Sequence, residues 1–279
     1  MRPSVTAVVI GFNHASYLDR CLGRLRAQTG LERLDVLYID NASRDRSVEI
    51  AATHETVVVM RNERNVGYAR AANQGLAAAR SPYVALVNPD AALPPTALRD
   101  LVEVLGGRPE VGLVAPQLVG EDGRAQVSLA PYPSLRGLVA KHLGLVDDGE
   151  RWIVGAVVVA ETELLRAIGG LEEAYFVYGE DMDLCFRLQQ RGRAVHVAAE
   201  VRVTHAGNPR WSADRLVRVY GGYLRFAALH RPEERTRLGL ALSLLWLARG
   251  AGAGQGPHAL LAGLRRMWST RVDAPPEPA

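Results

Sequence analysis

The chain has 279 residues, 48% of them hydrophobic and 23% charged, with a formal net charge of +3. That length suits one large α/β domain with an extension, or two small domains, and the composition excludes a wholly disordered chain. Two distant cysteines, Cys21 and Cys185, exclude a zinc ribbon or a disulfide scaffold and point to a reducing cytoplasm.

The first hundred residues alternate between short apolar runs and helical stripes. Residues 6–11 form a continuous β-branched run, as a strand buried on both faces requires. Leu18, Cys21, Leu22 and Leu25 then recur at helical spacing. A strand over 35–39, a helix over 47–54, a strand over 56–60, a helix over 68–80 and a strand over 83–87 complete the series. Such alternation predicts a mainly parallel sheet flanked by helices, whose ligands bind beyond the carboxyl ends of the strands. The polar residues at those ends are Asn13, Asp40-Asn41 and Asn88-Pro89-Asp90.

Beyond Pro95 the pattern predicts a helix to about Leu105 and a strand over 111–119, with Glu121-Asp122-Gly123 turning a hairpin over 118–127. Residues 131–150 have loop composition with one short amphipathic piece. A strand over 152–160 precedes a short helix ending at Gly169-Gly170. A helix from about Asp181 to Gly192 and strands over 194–198 and 201–204 lead to His205. Beyond Trp211 the pattern is helical, and the tail from Asp273 has nothing apolar enough to order it.

Between Arg210 and Arg271 eleven arginines face only Asp214, Glu233 and Glu234. A basic region of this kind attracts anionic lipid, nucleic acid or a diphosphate-bearing substrate, or is simply a solvated helix surface. The apolar run over 238–248 is too short to span a bilayer, which takes about twenty residues. It either packs on the domain or lies in a membrane interface. The apolar run over 5–10 is too short for a signal peptide.

Neither GxGxxG nor GxxxxGK[ST] is present, which argues against a dehydrogenase or an NTPase. Asp40, opening Asp40-Asn-Ala-Ser-Arg-Asp45, can accept a hydrogen bond from a base or ribose, or form an Asx turn or helix cap. Asp90 is an oxygen ligand suited to Mg²⁺ or Mn²⁺, or a turn residue before Pro94-Pro95. Gly179-Glu180-Asp181-Met182-Asp183 opens a helix, where the dipole stabilises an anion by about 0.3–1 kcal/mol. That favours an ionised general base, and it also describes an ordinary capped helix.

Taken in order, Asp40-Asn-Ala-Ser-Arg-Asp, Asn65-Val-Gly-Tyr-Ala-Arg-Ala-Ala-Asn73-Gln-Gly, Asn88-Pro-Asp90, Gly169-Gly-Leu-Glu-Glu-Ala-Tyr-Phe and Gly179-Glu-Asp-Met-Asp-Leu-Cys-Phe-Arg187 resemble family 2 glycosyltransferases of the GT-A fold, especially the bacterial rhamnosyltransferase-like branch. The match covers residues 4–230. With it, residues 1–210 are expected to form the GT-A domain and 211–279 a helical extension with a disordered tail. The resemblance implies an inverting, metal-dependent hexosyltransferase.

In that reading Phe12, Asn13 and Asp40 hold the nucleobase and ribose, and Arg70 and Asn73 face the nucleotide. Asn88-Pro-Asp90 stands in for an Asp-x-Asp motif. Asp90 and His205 hold Mg²⁺ or Mn²⁺, although a lone His is more often structural. Asp181 is the general base, with Glu180 as second candidate. Trp152 and Gly155, with residues 130–136, lie on the acceptor side.

The implied donor is dTDP-L-rhamnose; a UDP-sugar is the alternative, since Asp40 alone cannot separate thymine from uracil. The implied acceptor is a glycan or a lipid-linked glycan in cell-wall or surface polysaccharide assembly, with a small secondary metabolite as the alternative. The expected location is the cytoplasm, with peripheral contact at the inner face of the cell membrane through residues 238–268 and no nucleic-acid partner. Two rivals fit less well. A non-catalytic nucleotide-sugar binding module needs no base, and a nucleotidyltransferase carries a Gly-rich basic loop that Gly11-Phe-Asn-His14 lacks.

Overall fold

The computed structural model describes residues 2–142, 149–207 and 212–269. Its first part is the expected alternation: β1 (Ser4–Gly11), α1 (Ala15–Arg26), β2 (Arg33–Asp40), α2 (Ser47–Ala52), β3 (Val57–Arg61), α3 (Tyr68–Ala78) and β4 (Tyr83–Val87). Side chains alternate along a strand, so Val5, Ala7 and Val9 join one core with Leu18, Leu22 and Leu25 of α1. Val8 and Ile10 join a second core with Ala69, Ala72 and Leu76 of α3. Burial on both faces explains the unbroken apolar run in β1.

The chain continues through β5 (Ala91–Ala92), α4 (Ala97–Gly106), β6 (Val111–Val119), β7 (Leu129–Pro131), α5 (Leu135–His142), β8 (Arg151–Ile153), β9 (Val157–Glu161), α6 (Thr162–Ala167), α7 (Glu180–Gln189) and β10 (Ala194–His205). Eight strands form one sheet in the order β3-β2-β1-β4-β9-β6-β10-β5. β9 runs antiparallel to β4 and β6, β5 runs antiparallel to β10, and the other pairs are parallel. A separate ribbon pairs β7 with β8.

The structure corrects the expected elements in four places. The single strand over 152–160 is two: β8 belongs to the ribbon and β9 to the main sheet. Between them Val154 donates its N–H to Ser128 and Ala156 to Val154 (both 3.0 Å), so the backbone turns out of register. The two strands over 194–204 are one, interrupted by a register shift between Ala198 and Arg202 that lets Val201 and Val203 return to the core. The hairpin over 118–127 reduces to one bridge, Val119 to Ala125. The helix expected to Gly192 ends at Gln189. The predicted tail disorder lies outside the described residues.

Three helices follow the sheet: α8 (Ala213–His230), α9 (Pro232–Gly252) and α10 (Pro257–Trp268). They share a third core of Leu216, Val217, Tyr220, Leu224, Leu238, Leu242, Trp246 and Met267. The apolar run over 238–248 is therefore divided, since Leu240 and Leu244 remain 59% and 68% exposed. No helix among the described residues is long and apolar enough to cross a membrane.

A single carboxylate ties α8 to α7. Asp183, 1% exposed, accepts 2.6 Å hydrogen bonds from Arg187 Nε and from Nε2 of His230 at the end of α8. The His230 ring lies 4.5 Å from that of Phe186. Arg187 also donates to the carbonyls of Ile168 (2.9 Å) and Gly170 (2.7 Å), so the Gly169-Gly170 turn joins the same network.

Candidate active site

The parallel strands β1, β2 and β4 end at a common edge. β9 runs back from that edge, with Val157 opposite Val87, so the residues just before β9 arrive where β4 ends. There Asn88 N–H donates to the Ala156 carbonyl at 2.8 Å. β10 finishes at the same edge, its His205 paired with Ala91. Gly155 N–H in turn donates to Asp181 Oδ2 at 3.1 Å. Successive bonds thus link the Asp90–His205 pair to Asn88, then to the 155–156 turn, then to Asp181. Residues more than a hundred positions apart meet along one rim of the sheet.

At one end of that rim, His205 Nε2 lies 3.4 Å from Asp90 Oδ1, while Asp90 Oδ2 accepts from Gly207 N–H at 3.2 Å. Burial alone would raise the Asp90 carboxyl, yet the hydrogen bond and charge of His205, with His14 beyond, hold it below its ordinary value. His14, which follows β1, accepts from Phe12 N–H through Nδ1 at 3.2 Å. Burial pushes the His14 imidazole down, against the pull of Asp90 and then Asp45. A carboxylate and an imidazole held close together are two groups of the kind that ligate a divalent cation. Among the described residues no group of three His, Cys, Asp or Glu side chains forms a ready-made cage.

At the other end, Tyr178 (φ 70°) and Gly179 (φ 109°) occupy the left-handed region in succession directly before α7. For Tyr178 that conformation costs about 1–3 kcal/mol. A Cβ on Gly179 would sit 2.8 Å from the Tyr175 ring, so only glycine completes the turn. The turn presents Glu180 and Asp181 at the helix N-terminus. Asp181 is partly exposed, whereas Glu180 is 6% exposed and its Oε2 has no hydrogen-bond partner.

The Glu180 carboxyl is pushed up to about 8, by burial first and by the Asp181 charge second. Burial also raises Asp181, but the N–H groups of Gly155 and Met182 bind its charged form and oppose the rise. The two environments differ: burial raises both carboxyls, and the N–H groups of Gly155 and Met182 restrain the rise at Asp181. Gly155 is needed here for proximity: a Cβ would lie 3.0 Å from that of Asp181.

The structure spends several other candidates on internal bonds. Asn13 (φ 58°) accepts from Arg44 N–H at 2.8 Å, and its own N–H donates to Ser43 Oγ at 3.0 Å. Asp40 is fully buried; its Oδ2 accepts from Ser43 N–H at 3.1 Å and its Oδ1 from the Tyr38 hydroxyl at 3.3 Å. This is a local capping bond to the residue three positions on, with the carboxylate turned inward where the 41–45 loop offers a backbone N–H.

Arg70 and Asn73, expected to face a nucleotide, turn toward the 171–173 loop instead. Arg70 Nε donates to Glu173 Oε2 (2.9 Å), and Asn73 exchanges two 2.9 Å bonds with the Leu171 backbone. Trp152, expected on the acceptor side, is 8% exposed and donates to the Pro131 carbonyl at 3.1 Å, which closes the ribbon. Phe12 and Asn88 are partly exposed at the strand ends.

Sequence reading gave no individual role to four contributors: His14, Asn41, Gln126 and Asp183. Asn41 gathers bonds from Val66 N–H (3.0 Å) and Asn62 (3.1 Å) and donates to the Gly67 carbonyl (3.1 Å). Its place beside Asp40 was visible; its partners, over twenty residues on, were not. Asp183 shares the acidic run, but its distinguishing partner, His230, carries no local pattern.

The glycosyl transferase family 2 model matches residues 6–144, and the glycosyl transferase family group 2 model matches residues 83–272. The chain is 29% identical over 271 residues to the pre-mycofactocin glycosyltransferase of Mycobacterium tuberculosis, covering 92% of this chain and 55% of that protein, about half its length. It is 27% identical over 224 residues to the N-acetylglucosaminyl-diphospho-decaprenol L-rhamnosyltransferase of the same organism, covering 69% and 72%.

Among solved structures, the mannosyltransferase PcManGT from Pyrobaculum calidifontis in complex with GDP-Man and Mn²⁺ is similar with a TM-score of 0.62 and 22% identity, over 94% of this chain and 79% of that one. S. aureus TarS 1-349 in complex with UDP is similar with a TM-score of 0.59 and 15% identity, over 96% and 82%. These neighbours share the GT-A architecture. From the strand-edge acids through the sheet order to the family models, the observations agree that the chain belongs to the family 2 glycosyltransferases.

Proposed function

We propose that the chain is an inverting, metal-dependent glycosyltransferase that moves L-rhamnose from dTDP-L-rhamnose onto a hydroxyl of a glycan or lipid-linked glycan. The observation that carries this is the Gly155 N–H holding Asp181 Oδ2 at 3.1 Å, on the rim where Asp90 and His205 also lie. Asp181 takes the proton of the acceptor hydroxyl as that oxygen attacks the anomeric carbon. The bond from that carbon to the nucleoside diphosphate breaks on the opposite face, which inverts the configuration. Glu180 keeps its proton beside Asp181, so one negative charge, not two, faces the acceptor.

Asp90 and Nε2 of His205 would hold Mg²⁺ or Mn²⁺, which when bound supplies positive charge against the diphosphate leaving group. The rhamnosyl donor rests on the relative named as an L-rhamnosyltransferase. A donor panel read by nucleotide release tests it: turnover with dTDP-L-rhamnose and none with UDP-sugars is expected, and the reverse rejects this donor. A small-molecule acceptor is the second reading, favoured by the longer match to the pre-mycofactocin enzyme.

The lipid-linked acceptor agrees with the outer face of α9 and α10. Leu240, Leu244 and Leu261 are exposed there beside exposed Arg237, Arg249 and Arg265, a composition suited to peripheral contact with anionic lipid at the inner membrane face. Flotation with phosphatidylglycerol vesicles at low salt is expected to carry the protein upward; protein left in the dense fraction rejects the contact.

A further inference from the structure

His205 carries two ring nitrogens with different tasks. Nε2 faces Asp90, while Nδ1 lies 2.8 Å from Oε1 of Gln126. The same Gln126 amide donates through Nε2 to the His205 carbonyl at 2.9 Å. One side chain therefore grips one residue at two points.

The chemistry of this grip fixes its sense. A carbonyl oxygen can only accept, so the amide group facing it must be the NH₂ of Gln126. The group facing the ring is then the amide oxygen, which can only accept, so Nδ1 of His205 must carry a hydrogen. In the neutral ring Nε2 is left with its lone pair pointed at Asp90 Oδ1, 3.4 Å away. Two lone pairs facing each other repel unless a positive charge lies between them, either a proton on Nε2 or a bound cation.

Gln126 is itself anchored. Its N–H donates to the Leu118 carbonyl at 2.8 Å, and its carbonyl accepts from Gln117 Nε2 at 2.9 Å. Both partners belong to β6, the parallel neighbour of β10, so clamp and imidazole are carried on adjacent strands. The His205 backbone is held by its pairing with Ala91. Neither ring rotation nor tautomer exchange can occur without giving up a bond.

We propose that Gln126 is a positioning residue that fixes the Nδ1–H tautomer of His205 and aims Nε2 at the divalent cation of the donor site. The cation rests on the function proposed above; the tautomer does not. Partners that orient a ligating histidine typically change metal affinity about 10–100-fold when removed.

Two measurements separate these parts. The first is the imidazole ¹⁵N spectrum of the metal-free protein, with His205→Ala identifying the His205 signals. The wild type is expected to show the Nδ1–H form, and Gln126→Met, which keeps the length and loses the amide, a shift toward Nε2–H. Gln126→Glu, which keeps an acceptor for Nδ1–H, is expected to hold the wild-type form and provides a second folded variant. A wild-type Nε2–H form, or an unmoved tautomer in folded Gln126→Met, overturns the proposal.

The second is Mn²⁺ affinity from the electron paramagnetic resonance signal of free Mn²⁺. Gln126→Met is expected to weaken binding about 10–100-fold, with Gln126→Glu closer to wild type. Loss of affinity in His205→Ala with none in Gln126→Met overturns the positioning role alone. Equal affinity in wild type and His205→Ala overturns the metal reading at His205, and with it the aiming of Nε2.

Discussion

The two groups of polar residues at the strand ends behave differently. In the loops after β1 and β2, Asn13, Asp40, Asn41 and Asp45 use their hydrogen-bonding groups within the protein, on these loops and, for Asn41, on residues 62–67. Asp45, for example, accepts from Ala15 N–H at 2.9 Å at the start of α1. Along the rim formed by β4, β9, β10 and α7, by contrast, capacity is left over. Glu180 has an oxygen without a partner, Asp181 is partly exposed, and Asp90 Oδ1 lies 3.4 Å from Nε2 of His205. The first group shapes a surface and the second leaves hydrogen-bonding capacity unused, although both look alike as acids and amides in the sequence.

Substitutions can break or sharpen that contrast. The largest effect is expected at Asp181. Asp181→Asn keeps the size and removes the base, and kcat should fall roughly 10²–10⁴-fold with donor affinity retained. Near-wild-type turnover would move the base elsewhere.

A smaller, purely structural loss is expected at Asp40. Asp40→Ala strands Ser43 N–H and the Tyr38 hydroxyl, at a cost of about 1–3 kcal/mol. For a chain of this size each kcal/mol lowers Tm by about 2–4 °C. If Tm is unchanged while KM for the donor rises steeply, Asp40 binds nucleotide after all and the contrast fails on that side.

A third test concerns pH. The folded chain keeps a proton on Glu180 up to about pH 8, while the ordinary value is 4.5. Between those values the folded state binds more protons than the unfolded one, so stability falls as pH rises. The contribution is complete below the ordinary value and gone above about 8. Thermal melts of wild type and Glu180→Gln across this range should diverge, with the Gln variant flatter. Parallel curves would show that Glu180 ionises normally.

Much of the fold was legible because its signals are local. The β-branched run of β1 and the Leu18–Leu25 stripe each report burial of their own segment. The break between β8 and β9 was not legible, because Val154 leaves the strand for a carbonyl, that of Ser128, supplied from another element. The site divides along the same line. Asp90, Asp181 and His205 stood out by residue type and place in the motif run. Arg70, Asn73 and Trp152 carried the same kind of signal, but their partners, Glu173, Leu171 and Pro131, are settled only by packing. Gln126 gave no signal, since an isolated glutamine in a turn acquires meaning only from the imidazole it meets.

The bond from His230 to Asp183 bears on how such enzymes can be recombined. An exchange of carboxyl-terminal segments made at the end of the sheet, near residue 210, would discard His230 and leave the buried Asp183 carboxylate without one of its two side-chain partners. Leaving a buried polar group without a partner typically costs about 1–3 kcal/mol, more when it is charged, and here the cost would fall on α7, which carries Glu180 and Asp181. A graft beginning at Pro232 would leave that helix anchored while replacing α9 and α10 whole. Such a graft must still refill the core that α9 and α10 share with α8.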